Sequence, residues 1–318
     1  MFARLLDAAI VQTVRVVAIG LNPRLARANW NYNDKKSLPN PADPYTVEDK
    51  WMWRKLIDRS PVFIEISDKL GVRGWLERHG ISVKTSEVIW AGSDAREIPD
   101  AALEGGVVVK ANHGSAMNIF LPEPPEDRDA MTAKANSFLT RTHGERAVEW
   151  AYSAIERKIF VERFLPNATS EIKLYCFGGR VARIVAIFDR LGETTADVWV
   201  PDVGDTFKRS SVNAVVGEGR ADRPLPACTD AAIEIAKEIG VHFDHIRVDF
   251  MSDDMSLWLG ELTVYNLSGN FHGVQADEKE ALNRAWDIRK SWFLTTPQTG
   301  WRKIYAAALL RRINARSV

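Results

Sequence analysis

The chain has 318 residues, of which 46% are hydrophobic and 26% are charged, a profile typical of a folded protein with room for two or three structural units. Its 42 Lys and Arg residues balance 42 Asp and Glu residues, so the formal net charge is zero. This balance excludes a general electrostatic attraction to nucleic acid, and we expect no nucleic-acid partner.

Cysteine usage and hydropathy indicate a cytoplasmic protein. Cys176 and Cys228 lie far apart and form no C-x-x-C pair, so neither a zinc site nor a disulfide framework is expected, and a reducing compartment is the simpler interpretation. The apolar stretch from Ala8 to Leu21 is too short and too charged to span a bilayer or to act as a signal peptide, and we interpret it as an amphipathic helix. The alternative is weak contact of this helix, or of the basic segment 302–316, with the inner face of the membrane.

The first part of the chain predicts a connector and two capped helices. Residues 22–50 are rich in Asn, Pro and Asp, which break regular structure, so we expect an extended connector there. Thr46 is the predicted N-cap of the first helix, because acidic residues follow it in the first turn. The second predicted helix covers residues 67–80, with Ser67 or Asp68 as its cap.

The rest of the chain alternates strand and helix patterns. Predicted strands cover residues 81–84, 88–90, 107–109, 119–121, 159–165, 171–177, 180–188, 245–250 and 257–264. Predicted helices cover residues 130–158, as one or two helices, 231–240 and 277–318. Gly178 and Gly179 mark a tight turn, so residues 171–188 form a predicted β-hairpin, and residues 245–264 form another.

The stretch 107–121 combines a buried strand, a polar loop and a second strand. Lys110 ends the first strand, and the polar residues that follow it are Asn112, His113, Gly114, Ser115 and Asn118. The backbone N–H groups of a loop rich in small residues, with a Lys beside it, suit a phosphate chain. An ordinary hairpin with a solvated tip explains the pattern equally well. For the histidine, a hydrogen bond to a neighbouring carbonyl is favoured over a role as general base.

The last hairpin carries two carboxylates that folding brings onto one face. Asp249 lies inside one strand and Glu261 inside its partner, opposite or diagonal to it. A divalent cation would remove their mutual repulsion, with Asn266 as a further oxygen ligand. The alternative is that the carboxylates pair with Arg247 and another basic residue on a solvated sheet face. Lys173 and Arg190, on or beside the middle hairpin, would bind phosphate if that sheet faces the same cleft.

The order of these elements resembles a known superfamily. Neither G-x-x-x-x-G-K-[ST] nor G-x-G-x-x-G occurs. Instead, a Lys before a small-residue loop is followed by Glu162 on a strand, Lys173 on a hairpin, and then Asp249 and Glu261, which is similar to the ATP-grasp superfamily. More narrowly, the chain resembles the TupA-like ATP-grasp family, associated with teichuronopeptide and other surface-polysaccharide gene clusters. The motifs that carry this resemblance are Asn40-Pro, Thr46-Val-Glu-Asp-Lys50, Trp53-Arg-Lys-Leu-Ile-Asp-Arg59, Asp68-Lys69, Val72-Arg73, Lys110-Ala-Asn-His-Gly-Ser115, Asn118-Ile119, Phe177-Gly-Gly, Arg247-Val-Asp249 and Gly260-Glu-Leu-Thr263.

The resemblance implies an α+β ATP-grasp fold, in which two α+β lobes clamp the nucleotide between antiparallel sheets. The expected units are an N-terminal helical extension and connector over residues 1–67, an N-lobe with the phosphate loop over 68–165, a C-lobe with the metal-binding hairpin over 166–275, and a C-terminal helical extension over 276–318.

The resemblance also implies ATP and Mg²⁺ as cofactors, with a role for each matching residue. The residues expected to bind ATP are Lys110 at phosphate or adenine N7, the loop residues Asn112, His113, Gly114, Ser115 and Asn118 over the phosphates, Glu162 at the adenine amino group and Glu171 at the ribose. The expected catalytic cations are Lys173, Arg190 and Arg247, and the expected Mg²⁺ ligands are Asp249, Glu261 and Asn266.

Two residues depart from the family pattern. Ala116 stands where Gly is usual, which predicts a stiffer loop because Ala does not adopt positive φ freely. Thr263 stands where many ATP-grasp enzymes have the Asn of a Glu-x-Asn metal motif, and Asn266 is the substitute that we expect.

The function that follows is an ATP- and Mg²⁺-dependent carboxylate–amine ligase that forms a carbon–nitrogen bond through an acylphosphate, in cell-surface polysaccharide biosynthesis. Its partners would be ATP, a small-molecule or glycan carboxylate and an amine, while the sequence sets neither the acceptor nor the oligomeric state. The alternatives are a phosphotransferase or other glycan-modifying transferase, and a non-catalytic nucleotide-binding assembly protein.

Overall fold

The computed structural model describes residues 2–32, 39–204, 206–211, 219–269 and 274–316, and it combines helices with two antiparallel sheets. The helices are α1 (Phe2–Leu21), α2 (Pro23–Tyr32), α3 (Val47–Leu56), α4 (Val62–Ser67), α5 (Gly71–Arg78), α6 (Arg128–Thr140), α7 (Trp150–Ser153), α8 (Thr229–Gly240), α9 (Ala276–Ala285), α10 (Trp292–Thr295) and α11 (Gly300–Arg316). The strands are β1 (Val88–Gly92), β2 (Val107–Ala111), β3 (Asn118–Leu121), β4 (Ile159–Arg163), β5 (Ser170–Phe177), β6 (Arg180–Phe188), β7 (Thr195–Pro201), β8 (Phe207–Arg209), β9 (Gly219–Arg220), β10 (Ile246–Ser252) and β11 (Leu257–Thr263). Short 3₁₀ helices lie at Ala95–Glu97, Asp100–Leu103, Glu145–Ala147, Asn266–Gly269 and Ile288–Lys290.

The small sheet has four antiparallel strands in the order β1-β4-β2-β3. Alternation along β2 places Val107 and Val109 in a core that also includes Met131 and Ala135 of α6. The same alternation places Lys110 on the opposite face, so the hydrophobic pattern that fixes the sheet also aims this ammonium group away from the core.

The large sheet has the order β11-β10-β5-β6-β7-β8, and β9 pairs in parallel with β7. One face is apolar along its central strands and packs against α5 and α8. The core on this face includes Ile172 and Leu174 of β5, Val248 and Phe250 of β10, Trp75 of α5, and Ala236 and Ile239 of α8. The central strands therefore bury a hydrophobic layer on this face.

The opposite face of the large sheet has two halves. At one end, Tyr175 and Phe177 pack with the N- and C-terminal helices in a second core, whose large members include Trp51, Trp53, Trp286, Phe293 and Tyr305. At the other end, Glu171, Lys173 and Asp249 are left uncovered by these helices and face the small sheet. The terminal helices therefore cover only the half of this face that does not lie opposite the small sheet.

A buried ion network fastens the terminal helices to the large sheet. Arg54 of α3 donates to Asp244 Oδ1 at 2.5 Å and to the His245 carbonyl at 2.8 Å. Asp58, fully buried, accepts the Phe293 backbone N–H at 2.8 Å. Burial, together with repulsion from Asp244, raises the pKa of Asp58 to about 7.

Most of the predicted elements are confirmed. The capping box of Thr46 is present, with Asp49 as its partner, and the hairpins β5–β6 and β10–β11 form as expected. Gly178 and Gly179 have φ angles of 56° and 85°, which explains why this turn needs glycine.

Three local predictions were wrong. Within the predicted connector, α2 forms because Pro23 stands in the first helical turn, where its missing N–H breaks no hydrogen bond; residues 33–38 of that connector lie outside the described residues. The second helix begins at Gly71, since Asp68 ends α4 instead of capping α5. Residues 81–84 do not form the predicted strand, although the Lys84 carbonyl accepts the Leu259 N–H at 2.8 Å.

Candidate active site

A cavity of about 280 Å³ lies between the two sheets, close to the lower end of the size range usual for ligand sites. Five cationic and four anionic side chains line it: Lys69, Arg73, Lys110, Lys173 and Arg190, with Glu162, Glu171, Asp249 and Glu261. The cavity therefore collects groups from both sheets and from the segment before the small sheet.

The small sheet contributes an ion pair. Val108 is the register partner of Glu162, and Lys110 is that of Phe160, so Lys110 and Glu162 are diagonal neighbours on one face. Lys110 Nζ donates to Glu162 Oε1, and Arg73 Nη2 lies 3.8 Å from Glu162 Oε2. Glu162 thus holds two cations at the cavity wall.

The loop between β2 and β3 turns sharply at Gly114, whose φ is 75°. A Cβ at this position would collide with the His143 ring, so only glycine fits. Ser115 and Ala116 follow, both exposed at the cavity. Ala116 has a φ of 56°, so the loop takes the left-handed conformation that glycine would favour despite the alanine.

Asn112 and His113 lie behind this loop and do not line the cavity. The Asn112 side chain donates to Asp68 Oδ1 at 3.0 Å and to the Glu156 carbonyl at 2.9 Å, and accepts the Lys158 N–H at 2.8 Å. His113 Nε2 lies 3.2 Å from the Arg141 carbonyl, and burial lowers the pKa of His113, which favours a neutral ring that donates to that carbonyl. Both residues fix the loop's shape, and the expectation that they fold over phosphate receives no support from their contacts.

The large sheet contributes the two carboxylates, and the register places them directly opposite each other. Asp249 pairs with Glu261 across β10 and β11, and with Lys173 across β10 and β5. The expected hairpin geometry is therefore present, and Lys110 lines the same cavity as both carboxylates.

Arg247 lies outside the cavity lining and fixes the orientation of this carboxylate pair through hydrogen bonds. It donates to both Asp249 oxygens, at 2.6 and 2.5 Å, and to Thr263 Oγ1 at 3.1 Å. Thr263 in turn donates to Glu261 Oε1 at 3.0 Å. Arg247 does not line the cavity, so we assign it a positioning role instead of the catalytic role that we expected.

Glu171 holds the two cations of the middle hairpin. Its carboxylate lies 2.6 Å from Lys173 Nζ and 2.7 Å from Arg190 Nε. Burial alone would lower the pKa of Lys173, but Asp249 and Glu171 raise it, so the side chain stays charged. Burial would likewise raise the pKa of Asp249, and Arg247 and Lys173 lower it below its ordinary value.

Asn266 lies away from these carboxylates. It is fully buried, its Nδ2 lies 2.9 Å from His245 Nε2, and it does not line the cavity. The sequence placed it near the carboxylates because it follows β11 by three residues, but the chain beyond β11 leads into the core that holds His245. The structure therefore gives no support to Asn266 as a metal ligand.

Two carboxylates remain as candidate metal ligands. In the described part of the chain, no cluster of three or more His, Cys, Asp or Glu side chains is arranged to hold a metal ion. Asp249 and Glu261 still fit Mg²⁺, because this ion commonly takes one or two protein carboxylates and completes its shell with phosphate oxygens and water. Glu261 is the more available of the two, with its side chain 38% exposed.

A second cavity of about 330 Å³ adjoins the first and is mainly apolar. The two share Lys110, Asn118, Glu162, Arg190 and Met251. The apolar residues of the second cavity include Val108, Phe120, Phe164, Leu165, Ala168 and Leu191. A charged chamber thus continues into an apolar one, with Glu162 at their junction.

The sequence interpretation assigned no role to Lys69 and Arg73, which the structure places in the site. Lys69 Nζ donates to the Gly114 carbonyl of the loop and lies 3.9 Å from Glu261 Oε2, so it bridges the loop and the carboxylate pair. Arg73 donates to Thr85 Oγ1 at 2.6 Å as well as facing Glu162. Lys69 lies in the turn before α5 and Arg73 within α5, so the available signal was their place in the resemblance motifs Asp68-Lys69 and Val72-Arg73 and not a shared helical face.

Comparison with known proteins identifies the family. A family model described as TupA-like ATPgrasp matches residues 49–282, most of the chain. The chain belongs to the TupA-like ATP-grasp family. Its α+β architecture, with a cavity between two antiparallel sheets, is the ATP-grasp fold that the sequence predicted. No curated protein matched the chain significantly.

Solved structures of ATP-grasp and related ligases are similar at low sequence identity. The ATP-grasp ligase PsnB, in complex with a minimal precursor, is 12% identical, with 73% of this chain and 63% of PsnB covered and a TM-score of 0.39. D-alanine–D-alanine ligase from Bacillus anthracis is 16% identical, with 80% and 70% covered and a TM-score of 0.37. D-cycloserine synthetase DcsG is 19% identical, with 71% of each chain covered and a TM-score of 0.38. The present chain thus spans less than two thirds of the length of PsnB.

Proposed function

We propose that this protein is an ATP- and Mg²⁺-dependent ligase that joins a carboxylate to an amine through an acylphosphate. The observation that carries the proposal is that Lys110 of one sheet and Asp249 and Glu261 of the other line a single cavity. Family membership supports ATP as the nucleotide.

The two adjoining cavities divide naturally between the parts of ATP. The apolar chamber suits adenine, with Glu162 at the junction able to accept a hydrogen bond from the amino group. The charged chamber suits the triphosphate, with Lys110, Lys173 and Arg190 as its cations. Asn118, Gly114 and Ser115 lie at its wall, where loop N–H groups can approach phosphate. Glu171, next to Arg190, is the residue that we propose for a ribose hydroxyl.

Two transfers make up the proposed reaction. An oxygen of the acceptor carboxylate attacks the γ-phosphorus of ATP, the bond to the β–γ bridging oxygen breaks, and ADP leaves with that electron pair. The amine then attacks the acyl carbon, phosphate leaves, and an amide forms after loss of a proton from nitrogen. Phosphorylation converts a poor leaving group into a good one.

The side chains contribute positioning and charge neutralisation. Lys110, Lys173 and Arg190 offset the charge that gathers on the transferring phosphoryl group. Asp249 and Glu261 would hold Mg²⁺, and Arg247 fixes the orientation of Asp249 through its two hydrogen bonds. When bound, Mg²⁺ would neutralise phosphate charge and align the phosphate oxygens.

The acceptor that we propose is a uronic acid or amino acid in cell-surface polysaccharide assembly. This part of the proposal rests on the family resemblance. Lys69 supports the proposal, because its ammonium group lines the charged chamber beside Glu261 and suits an acceptor with a carboxylate.

Incubation with ATP, Mg²⁺, a panel of carboxylates and hydroxylamine tests the chemistry, because hydroxylamine traps acylphosphates as hydroxamates. We expect ADP release and a hydroxamate with at least one carboxylate, and an amide when an amine replaces hydroxylamine. A phosphorylated acceptor without hydroxamate would instead identify a phosphotransferase, and the absence of ADP release across the panel would contradict both.

The variant Glu261→Gln tests the metal assignment, with Glu156→Gln as a matched control on an 82% exposed carboxylate. Mn²⁺ binding in the presence of ATP, followed by electron paramagnetic resonance, is expected to weaken in the first variant and to stay unchanged in the second. Equal Mn²⁺ binding by the two variants would remove Glu261 from the metal site.

A further inference from the structure

Helix α1 exposes an apolar stripe at both ends of one face, interrupted in the middle by the exposed Thr13. The exposed fractions are 82% for Phe2, 63% for Leu5, 52% for Leu6, 61% for Val16, 53% for Val17 and 76% for Leu21. Val16 and Val17 lie about four helical turns after Phe2, so they share one face of the helix with Phe2, Leu5 and Leu6. Large apolar side chains lined up in this way differ from the single exposed hydrophobic residues found on most protein surfaces.

The other face of α1 packs against α11. Asp7 and Val11 are its buried residues, and the two helices run antiparallel. Arg311 of α11 donates to both carboxylate oxygens of Asp7, at 2.9 Å to Oδ2 and 2.6 Å to Oδ1. Since this contact uses one face of α1, the apolar stripe is turned away from α11 and remains on the surface.

The two helices are strongly basic. Together, α1 and α11 contain seven Lys and Arg residues and one acidic residue, Asp7, although the whole chain is neutral. Asp43 adds one more carboxylate, paired with Arg312 and Arg316, which still leaves a clear positive excess. Trp301 and Ile304 of α11 are each 57% exposed, so this helix also presents apolar surface beside its charges.

Charge decides which partner suits this surface. A second copy of the chain would bring an equally basic face against it, and like charges would oppose the contact. An anionic lipid bilayer complements both features, because its headgroups attract Arg and Lys and its acyl region accepts Leu, Val and Phe. Trp is also a residue type that favours the boundary between headgroups and acyl chains.

We propose that α1 and α11 form a docking surface for an anionic lipid bilayer, with α1 lying in the plane of the interface. Among the residues that the structure describes, no helix is long and apolar enough to cross a membrane. The proposed contact is therefore peripheral, with the apolar stripe of α1 inserted at headgroup depth. Arg4 and Arg15 lie on the opposite side of α1, so the charges next to lipid phosphates would come mainly from Arg302 and Lys303 of α11. It would hold the enzyme at a membrane surface independently of its nucleotide site.

Flotation of the full chain with vesicles tests this surface. We expect binding to vesicles of phosphatidylcholine mixed with phosphatidylglycerol, and much weaker binding to phosphatidylcholine alone. The variant Leu5→Ser/Val16→Ser is expected to weaken binding roughly tenfold or more, since it removes apolar groups from the inserted face. The matched control is Val203→Ser/Met255→Ser, at positions 86% and 79% exposed on loops, and it should bind like the natural chain.

A second variant separates charge from hydrophobicity without touching the stripe. Arg302→Gln/Lys303→Gln is expected to lower affinity for the anionic vesicles roughly 25-fold, as each basic residue near the surface contributes about fivefold. Circular dichroism and thermal unfolding should show that all variants keep the fold.

Three outcomes would overturn the proposal. They are equal binding to neutral and anionic vesicles, unchanged binding in the serine variant, and a dimer that dissociates in the serine variant while the natural chain ignores vesicles. The last outcome would assign the stripe to a second copy of the chain.

Discussion

On the small sheet, the ion pair of Lys110 and Glu162 lines the cavity, and the Lys110 side chain is 22% exposed. On the large sheet, Arg247 and Asp249, 10% and 6% exposed, belong to a hydrogen-bonded network that continues through Thr263 to Glu261. The first arrangement can lose a member with little effect on folding, whereas the second holds buried charges that depend on one another. Substitutions in the two sheets should therefore separate ligand binding from stability.

The largest effect is expected from Asp249→Asn. We expect turnover to fall roughly a thousandfold, because several kcal/mol of charge stabilisation are lost with the metal ligand. Since Arg247 and Lys173 lose their shared counter-charge, the free energy of unfolding should also fall by roughly 3 kcal/mol. Chemical denaturation and ADP release measure the two losses. Adding Arg247→Met should recover part of the stability and none of the turnover; a single variant as active as the natural chain would remove Asp249 from the chemistry.

The second-largest effect is expected at Asp58, in the helical layer that packs against the large sheet, where the free energy of unfolding should depend on pH. The folded pKa of Asp58, about 7, lies above the ordinary value of 3.8, so the folded state retains a proton that the unfolded state has lost. Stability linked to this group is therefore lost as pH rises from about 4 to about 7. Asp58→Asn, which keeps an acceptor for Phe293 N–H, should be more stable than the natural chain at pH 8 by roughly 2 to 4 kcal/mol.

Urea denaturation at a series of pH values measures this difference. The advantage of Asp58→Asn should shrink steadily towards pH 5, where the natural side chain is protonated. An advantage that is constant with pH would show that Asp58 does not titrate in this range.

On the small sheet, Lys110→Met should act on the ligand and leave the fold alone. We expect KM for ATP to rise roughly 10- to 100-fold, as one charge-assisted contact worth about 1.5–3 kcal/mol is lost. The free energy of unfolding should change by less than about 1 kcal/mol, because a partly exposed pair contributes little. Lys134→Met, on the exposed side of α6, is the control. A large loss of stability in Lys110→Met would contradict the contrast between the sheets.

The smallest effect is expected at Ala116. Its φ of 56° favours glycine, but glycine also gives the unfolded chain more freedom, and these effects partly cancel. Ala116→Gly should therefore stabilise the fold by about 0.5 kcal/mol. The control Ala91→Gly, in strand β1, should destabilise it by roughly 0.5–1 kcal/mol. Thermal unfolding compares them, and equal losses in both variants would show that Ala116 carries no strain.

Predictions from the sequence were most accurate where a local residue pattern determines the structure. The turn at Gly178-Gly179 and the alternation around Asp249 define hairpins locally, and the opposition of Asp249 and Glu261 follows from them. The register shifts by a β-bulge directly after Asp249, and another shift follows Tyr175, and neither irregularity was predicted from the sequence.

The sequence failed where distant contacts decide the outcome. Asn266 lies three residues beyond β11, yet a buried contact with His245 takes it out of the site. Lys69 reaches the loop at Gly114 only because the turn between α4 and α5 is hydrogen-bonded to Asn112, and no local pattern reports that contact. Strands β7 and β8 were not predicted, although the turn residues Asp202 and Gly204 stand between them.

Residues 84–88 pass from one sheet to the other within a few residues. The Lys84 carbonyl accepts the Leu259 N–H of β11 at 2.8 Å, and the Glu87 carbonyl accepts the Arg163 N–H at the end of β4 at 2.9 Å. A rotation of the small sheet against the large one would be smallest at this double attachment and greatest at points far from it. Such a pivot would let the cavity between the sheets widen to admit nucleotide and narrow around it, while the hydrogen bonds between strands stay intact within each sheet.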